Sequence, residues 1–121
     1  MSIKSLDQLL ASHCVEVKGS AMNDADVAAQ LKVLDGWTVT AGALAKTYGF
    51  NNYYETISFV NALAYVVHRE DHHPDLRVAY SSCEVRYSTH SVHGISQNDF
   101  ILAARSDAIY SNAPLPRTGS A

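Results

Sequence analysis

The sequence predicts an α+β two-layer sandwich, in which a four-stranded antiparallel sheet carries three helices on one face. Two observations point there. The stretches 37–50 and 76–87 alternate apolar and polar residues and are each divided by turn residues, as hairpins are, and segments of helical period stand before, between and after them. The order is therefore α-β-β-α-β-β-α. Hairpin-linked strands make an antiparallel sheet, and helices with one apolar stripe apiece need a common apolar surface. The opposite face is left partly open, so a homo-oligomer, dimer or tetramer, is expected to cover exposed faces or edges.

Residues 1–22 show a short apolar patch at Leu6, Leu9 and Leu10 and then Gly19-Ser20, and read as a loosely attached N-terminal arm. Asn23 or Asp24 caps a first helix over Ala25 to Leu34, where Val27, Leu31 and Leu34 recur at helical spacing and acids occupy the first turn; Gly36 ends it. Trp37 to Thr40 and Leu44 to Phe50 form a hairpin about Ala41-Gly42. Asn51 or Asn52 caps a longer helix with a stripe of Tyr53, Ile57, Val60, Ala64 and Val67, running to about His72 because Pro74 disfavours helical geometry before it. Leu76 to Tyr80 and Val85 to Tyr87 make the second hairpin about Ser81-Ser82. Ser96 to Asp99 has the form of a capping box that opens a last helix over Gln97 to Tyr110, burying Phe100, Ile101, Ala104 and Ile109. The chain is one domain over 1–121, with its core at 23–111 and a frayed tail at 112–121 that holds Pro114 and Pro116.

Composition excludes several functions. A net charge of -3 offers no basic footprint for nucleic acid, and no apolar run is long enough for a signal peptide or a membrane span, so a cytoplasmic protein is expected. Cys14 and Cys83 stand far apart with no Cys-x-x-Cys pair, as reduced thiols do.

Chemistry concentrates at His72-His73-Pro74 and Ser88-Thr89-His90. Histidine titrates nearest neutrality, so one such ring can lend a proton while another accepts one. A turn at Ser81-Ser82 would set Tyr80 opposite Cys83 and, by continuation, His73 opposite His90, with Cα atoms about 5 Å apart. His68 and His72 lie four apart on one helix and share a face. Asp99, in the first turn of the last helix, approaches the same end of the sheet. Glu70 and Asp71 make an acidic helix end that would raise nearby histidine pKa values. His68-x-x-x-His72 and His90-x-x-His93 are also spacings found among zinc ligands, but no Cys cluster or His-Glu-x-x-His motif accompanies them.

These residues resemble the pterin-4a-carbinolamine dehydratases. That family's pattern is an acidic, Lys or His residue, three residues, His-His or His-Asn, Pro, five residues, an aromatic, nine residues, His or Trp, and an Asp at least eight residues on. Here it reads His68, His72-His73-Pro74, Tyr80, His90, Asp99. The likeness extends over Asp35-Gly36-Trp37, the first hairpin and the last helix. It implies a hydro-lyase that uses neither metal nor organic cofactor and dehydrates 4a-hydroxytetrahydrobiopterin. In that reading His72 and His90 are the acid and base pair and His73 binds substrate. Pro74, Ser88 and Thr89 help to hold the flat pterin, and His68, Asp71 and Asp99 support the site. The resemblance also implies a functional link to an aromatic amino acid hydroxylase. Relatives of the fold serve instead as dimerisation cofactors of a transcription factor or as assembly factors, and a binding protein is the alternative; intact His72, His73 and His90 favour the enzyme. Two departures stand out: His68 occupies a place usually held by Glu, and Leu76 one where some relatives carry an aromatic residue.

Overall fold

Two hairpins share one sheet in the computed structural model, which describes residues 2–112. Strands β1 (Thr38–Thr40), β2 (Ala43–Gly49), β3 (Asp75–Val78) and β4 (Ser82–Tyr87) pair antiparallel in the order β1-β2-β4-β3. The first hairpin closes where expected, on Ala41 and Gly42, both left-handed at φ 49° and 76°. Two successive positive φ angles are what a two-residue primed turn needs, and the twist of such a turn suits the flanking strands.

Four helices accompany the sheet: α1 (Leu6–Ala11), α2 (Asp24–Leu31), α3 (Tyr53–Glu70) and α4 (Gln97–Asn112). The α+β class, the four-stranded antiparallel sheet and the order of the seven expected elements are as the sequence predicts; α1 is additional. Alternation sorts the sheet's faces. Leu44, Tyr48, Cys83, Val85 and Tyr87 are buried in a core that includes Phe59, Leu63 and Val67 of α3 and Phe100, Ile101 and Ala104 of α4. Lys46 shares that face and is neutralised there, since its Nζ lies 2.8 Å from Asp107 Oδ1 on α4. The opposite face carries the polar Thr38, Thr47, Asp75, Arg77, Glu84 and Arg86, with the buried Ala43 and Ala45 among them.

The N-terminal segment corrects the expectation of a loose arm. Ser5 and Gln8 form a reciprocal capping box, Leu6, Leu9 and Leu10 follow at helical spacing, and Leu9 is fully buried. Burying one leucine stabilises the fold by ~2 kcal/mol. Gln30 of α2, also fully buried, trades hydrogen bonds with both the N–H and the carbonyl of Lys4 and receives a third from Gln97 Nε2. α2 begins on its Asn23 cap but ends at Leu31, before the predicted Leu34. The expected tail at 112–121 lies, beyond Asn112, outside the described residues.

The second hairpin differs from its predicted register. Val78, not Tyr80, faces Cys83, and Ala79 N–H donates to Ser82 O around Tyr80-Ser81. Because the shift is even, every side chain keeps its face. Continued outward, this ladder no longer sets His73 against His90.

Candidate active site

The end of α3 determines where the histidines go. Asp71 adopts a left-handed conformation (φ 52°, ψ 42°), its N–H donates to His68 O at 3.2 Å, and the His72 N–H reaches back to Val67 O at 3.4 Å. That pair of bonds is a Schellman ending, with Pro74 placed just after it. The helix therefore stops at Glu70, and His72 lies outside it rather than on one helical face with His68. Beyond the reversal the two adjacent rings take different partners.

His72 turns inward. Its Nε2 lies 2.6 Å from Asp99 Oδ1, with the His72 side chain 14% exposed and that of Asp99 0%. Asp99 Oδ2 accepts from Thr89 Oγ1 and from the backbone N–H of Ser96, each at 2.9 Å. The hydroxyls of Thr89 and Ser96 are 2.6 Å apart; with the Thr89 proton given to Asp99, Ser96 is the donor. Three donors thus converge on one buried carboxylate, the arrangement that makes such burial tolerable. A carboxylate only accepts, so His72 carries its hydrogen on Nε2, and Nδ1 is left to take or give a proton.

His73 is exposed, and its Nδ1 donates to Pro74 O at 3.2 Å, leaving Nε2 with the lone pair. His90 opens a single 3-10 turn (His90–Val92) after β4, fastened by the Thr89 and Gly94 bridge. The rings of His73 and His90 stand 6.3 Å apart, tilted by 38°. The predicted meeting of these histidines occurs, but the turn achieves it rather than the ladder.

The supporting residues separate. His68 and Asp71 are exposed and line, with Ala64, Val67, His72 and His73, a recess of about 520 Å³. Asp71 and His72 also border a second cavity, of about 450 Å³, together with Glu70, Thr89 and Asn98. Ser88 is half-buried at the end of β4. Thr89 borders the second cavity, yet its hydroxyl is engaged by Asp99 and Ser96, so its bonding serves Asp99 rather than a ligand. His93 lies elsewhere, in an apolar groove with Met22 and Val27. Among the described residues no group of three or more His, Cys, Asp or Glu side chains is arranged to hold a metal ion.

Sequence reasoning missed Glu70 as a structural centre. Its carboxylate, 6% exposed, lies 2.9 Å from His13 Nδ1 and 3.3 Å from Arg105 Nη1, and accepts the Cys14 N–H at 2.7 Å. Burial pushes the carboxyl up, but the bonds from His13 and the Cys14 amide, with the Arg105 charge, outweigh it and hold Glu70 below its ordinary range. Burial beside Glu70 pushes the Cys14 thiol up to about 12, so it is no nucleophile. No local motif announces these contacts, which join residues remote in the chain.

With this geometry in view, the comparisons with known proteins are specific. The sequence model of the family described as Pterin 4 alpha carbinolamine dehydratase matches residues 20–109. The chain belongs to that family. Relatives that match most of the chain are named as pterin-4-alpha-carbinolamine dehydratases, and a dehydratase of that kind is a hydro-lyase. A relative from Nitrosospira multiformis, described as a pterin-4-alpha-carbinolamine dehydratase, is 40% identical over 88% of this chain and 96% of its own. Another of that description, from Bdellovibrio bacteriovorus, is 48% identical over 87% of this chain and 88% of its own. Among solved structures, a transcriptional coactivator/pterin dehydratase from Brucella melitensis superposes with a TM-score of 0.72 at 26% identity, over 75% of this chain and 99% of that one. A pterin dehydratase-like protein identified as a RuBisCO assembly factor in the alpha-carboxysome shares the fold at a TM-score of 0.52 and 21% identity, over 61% of this chain and 86% of that one. No helix among the described residues is long and apolar enough to cross a membrane.

Proposed function

We propose that this chain dehydrates 4a-hydroxytetrahydrobiopterin to the quinonoid dihydropterin by histidine acid/base catalysis, as a step of tetrahydrobiopterin recycling linked to an aromatic amino acid hydroxylase. The single observation that carries the mechanism is the 2.6 Å contact between His72 and the buried Asp99. The carbon–oxygen bond at position 4a breaks, and the departing hydroxyl takes a proton to leave as water. Electrons from nitrogen 5 assist, and a base removes that nitrogen's proton. One proton is given and one is taken, so the site ends each cycle with its proton count unchanged. His72 and His90 share these two roles, and His73 binds substrate with Pro74 and Ser88. Asp99 touches no substrate and acts as a positioning residue, fixing the tautomer of His72 and steadying its charged form.

The alternative is a non-catalytic assembly or dimerisation protein on the same fold. A scaffold could use Asp99 to begin α4 but has no use for the imidazole aligned on it, which favours the enzyme. Spectroscopic dehydration of a freshly generated 4a-hydroxy pterin separates the two: His72→Ala and His90→Ala should each lower kcat by about a hundredfold or more, the scale of a positioned acid or base, with the fold retained. Wild-type rates in both folded variants would remove their catalytic assignment. The reading includes a homodimer or homotetramer. Its support is β3, an outer strand whose four residues are all exposed, Leu76 and Val78 among them, and such edges are normally paired or covered. Sedimentation of a monomer at working concentration would overturn that part.

A further inference from the structure

We propose that residues 14–17 form a fixed wall of the pterin site and set its affinity, held there by three polar side chains that are near neighbours in sequence of the site residues. The ligand class rests on the dehydratase reading; the wall itself rests on geometry. Glu70, two residues before His72, accepts the Cys14 N–H at 2.7 Å. Asn98, one residue before Asp99, holds both backbone groups of Val15: the Val15 N–H donates to Asn98 Oδ1 at 3.0 Å, and Asn98 Nδ2 donates to Val15 O at 2.7 Å. Ser91, one residue after His90, donates from Oγ to Val17 O at 2.8 Å. Each of the three segments that bring a site residue, the end of α3, the start of α4 and the 3-10 turn, thus grips the same short run of backbone.

That run closes a cavity. Residues 14–17 line the 450 Å³ space together with His72, Thr89, Ser91 and Asn98, so the wall stands on the His72 side of the site, while His73 faces the neighbouring recess. A bicyclic pterin is flat and carries amide and amino edges, so a run of backbone held by side-chain hydrogen bonds beside it supplies shape and hydrogen-bonding groups with little to reorganise on binding. Asn98 is 5% exposed, and both ends of its side-chain amide are spent on the backbone of one distant residue. Buried polar groups are matched in this way where a backbone path must be unique. The wall and the His72–Asp99 pair are separately fastened, because Asp99 is held by Thr89 and Ser96 and not by residues 14–17.

Separate fastening gives the two parts different kinetic signatures. Asn98→Leu keeps the bulk and removes two bonds to the wall, and Ser91→Ala removes one at an exposed position that the fold tolerates. In the full-length protein, KM for the 4a-hydroxy pterin should rise about tenfold in Asn98→Leu and about threefold in Ser91→Ala, with kcat and its pH profile kept, as expected for binding energy lost equally from ground and transition states. Fluorescence titration with oxidised biopterin, which cannot be dehydrated, should show matching losses of affinity. Wild-type KM and biopterin affinity in both variants would overturn the wall, and Ser91→Ala decides alone should Asn98→Leu fail to fold. A wild-type protein that binds biopterin without dehydrating the hydroxy pterin would overturn the dehydratase reading and leave the wall to the affinity ratios. One that binds no biopterin would overturn both.

Discussion

Asp99→Asn exchanges one oxygen for an NH2 group in a site where every bonded neighbour is a donor, which makes its outcome calculable. Ser96 N–H is backbone and cannot change role, and it faces Oδ2 together with Thr89 Oγ1. The asparagine oxygen must therefore take that place, and its NH2 group then points at His72 Nε2, where Oδ1 stood at 2.6 Å. Two donors cannot face each other, so His72 moves its hydrogen to Nδ1 and accepts through Nε2. The nitrogen that served proton transfer is then occupied, and the doubly protonated ring loses its counter-charge. Either role of His72 fails, and kcat should fall by ~10²–10⁴-fold, the range of general acid–base catalysis. All buried groups keep partners, so stability should change by no more than about 1 kcal/mol, or ~5 °C in Tm. The assay is dehydration of a fresh 4a-hydroxy pterin across pH, beside a circular-dichroism melt and nitrogen NMR of the His72 ring. A folded Asp99→Asn enzyme with wild-type kcat, or with the hydrogen still on Nε2, would refute the argument.

Two further outcomes follow from polar centres that join separate elements. Asp107 receives Trp37 Nε1 at 3.1 Å, Lys46 Nζ at 2.8 Å and Tyr48 Oη at 2.5 Å, so Asp107→Ala strands the donors of Trp37 and Tyr48 and removes the counter-charge of Lys46, which keeps its bond to Asp35 O. A loss of ~2–4 kcal/mol and ~8–16 °C in Tm is expected, and an unchanged melt would count against that network. Glu70 titrates below its ordinary value of 4.5 in the folded chain. Its contribution is complete above the unfolded-state pKa and is lost as pH falls through the folded-state value. The Tm gap between wild type and Glu70→Gln should therefore be widest near neutrality and close in acid; a gap that grows in acid would show the sign to be wrong.

The strands and long helices were legible as elements because their periods are strong, and the alternation of Val85 and Tyr87 places buried side chains correctly. The stripe expected on α3 does not: of Tyr53, Ile57, Val60, Ala64 and Val67 only Val67 is fully buried, and Tyr53 and Ala64 are exposed. The face turned to the core carries Phe59 and Leu63 instead. The tight turn of the second hairpin was not, since 79–82 offers no glycine or asparagine and Tyr80-Ser81 competes with Ser81-Ser82 on equal local terms. α1 carried a readable signal, Ser5 three residues before Gln8 with leucines at helical spacing, but its brevity concealed it. Of the site, His72, His73, His90 and Asp99 were visible as residue types at set distances. That Thr89 bonds Asp99, and that Glu70 and Asn98 hold the N-terminal segment, depends on contacts between elements far apart in the chain, which local pattern does not encode.

The Ser96 N–H that Asp99 accepts is also an otherwise unmet amide at the opening of α4, so one carboxylate both begins a helix and orients an imidazole. Fraying of that first turn would disarm His72 at once, and a partly unwound yet competent enzyme has no route to exist. On titration with urea, loss of turnover should therefore never lag behind loss of ellipticity, because opening that one turn costs no more than unfolding the whole domain.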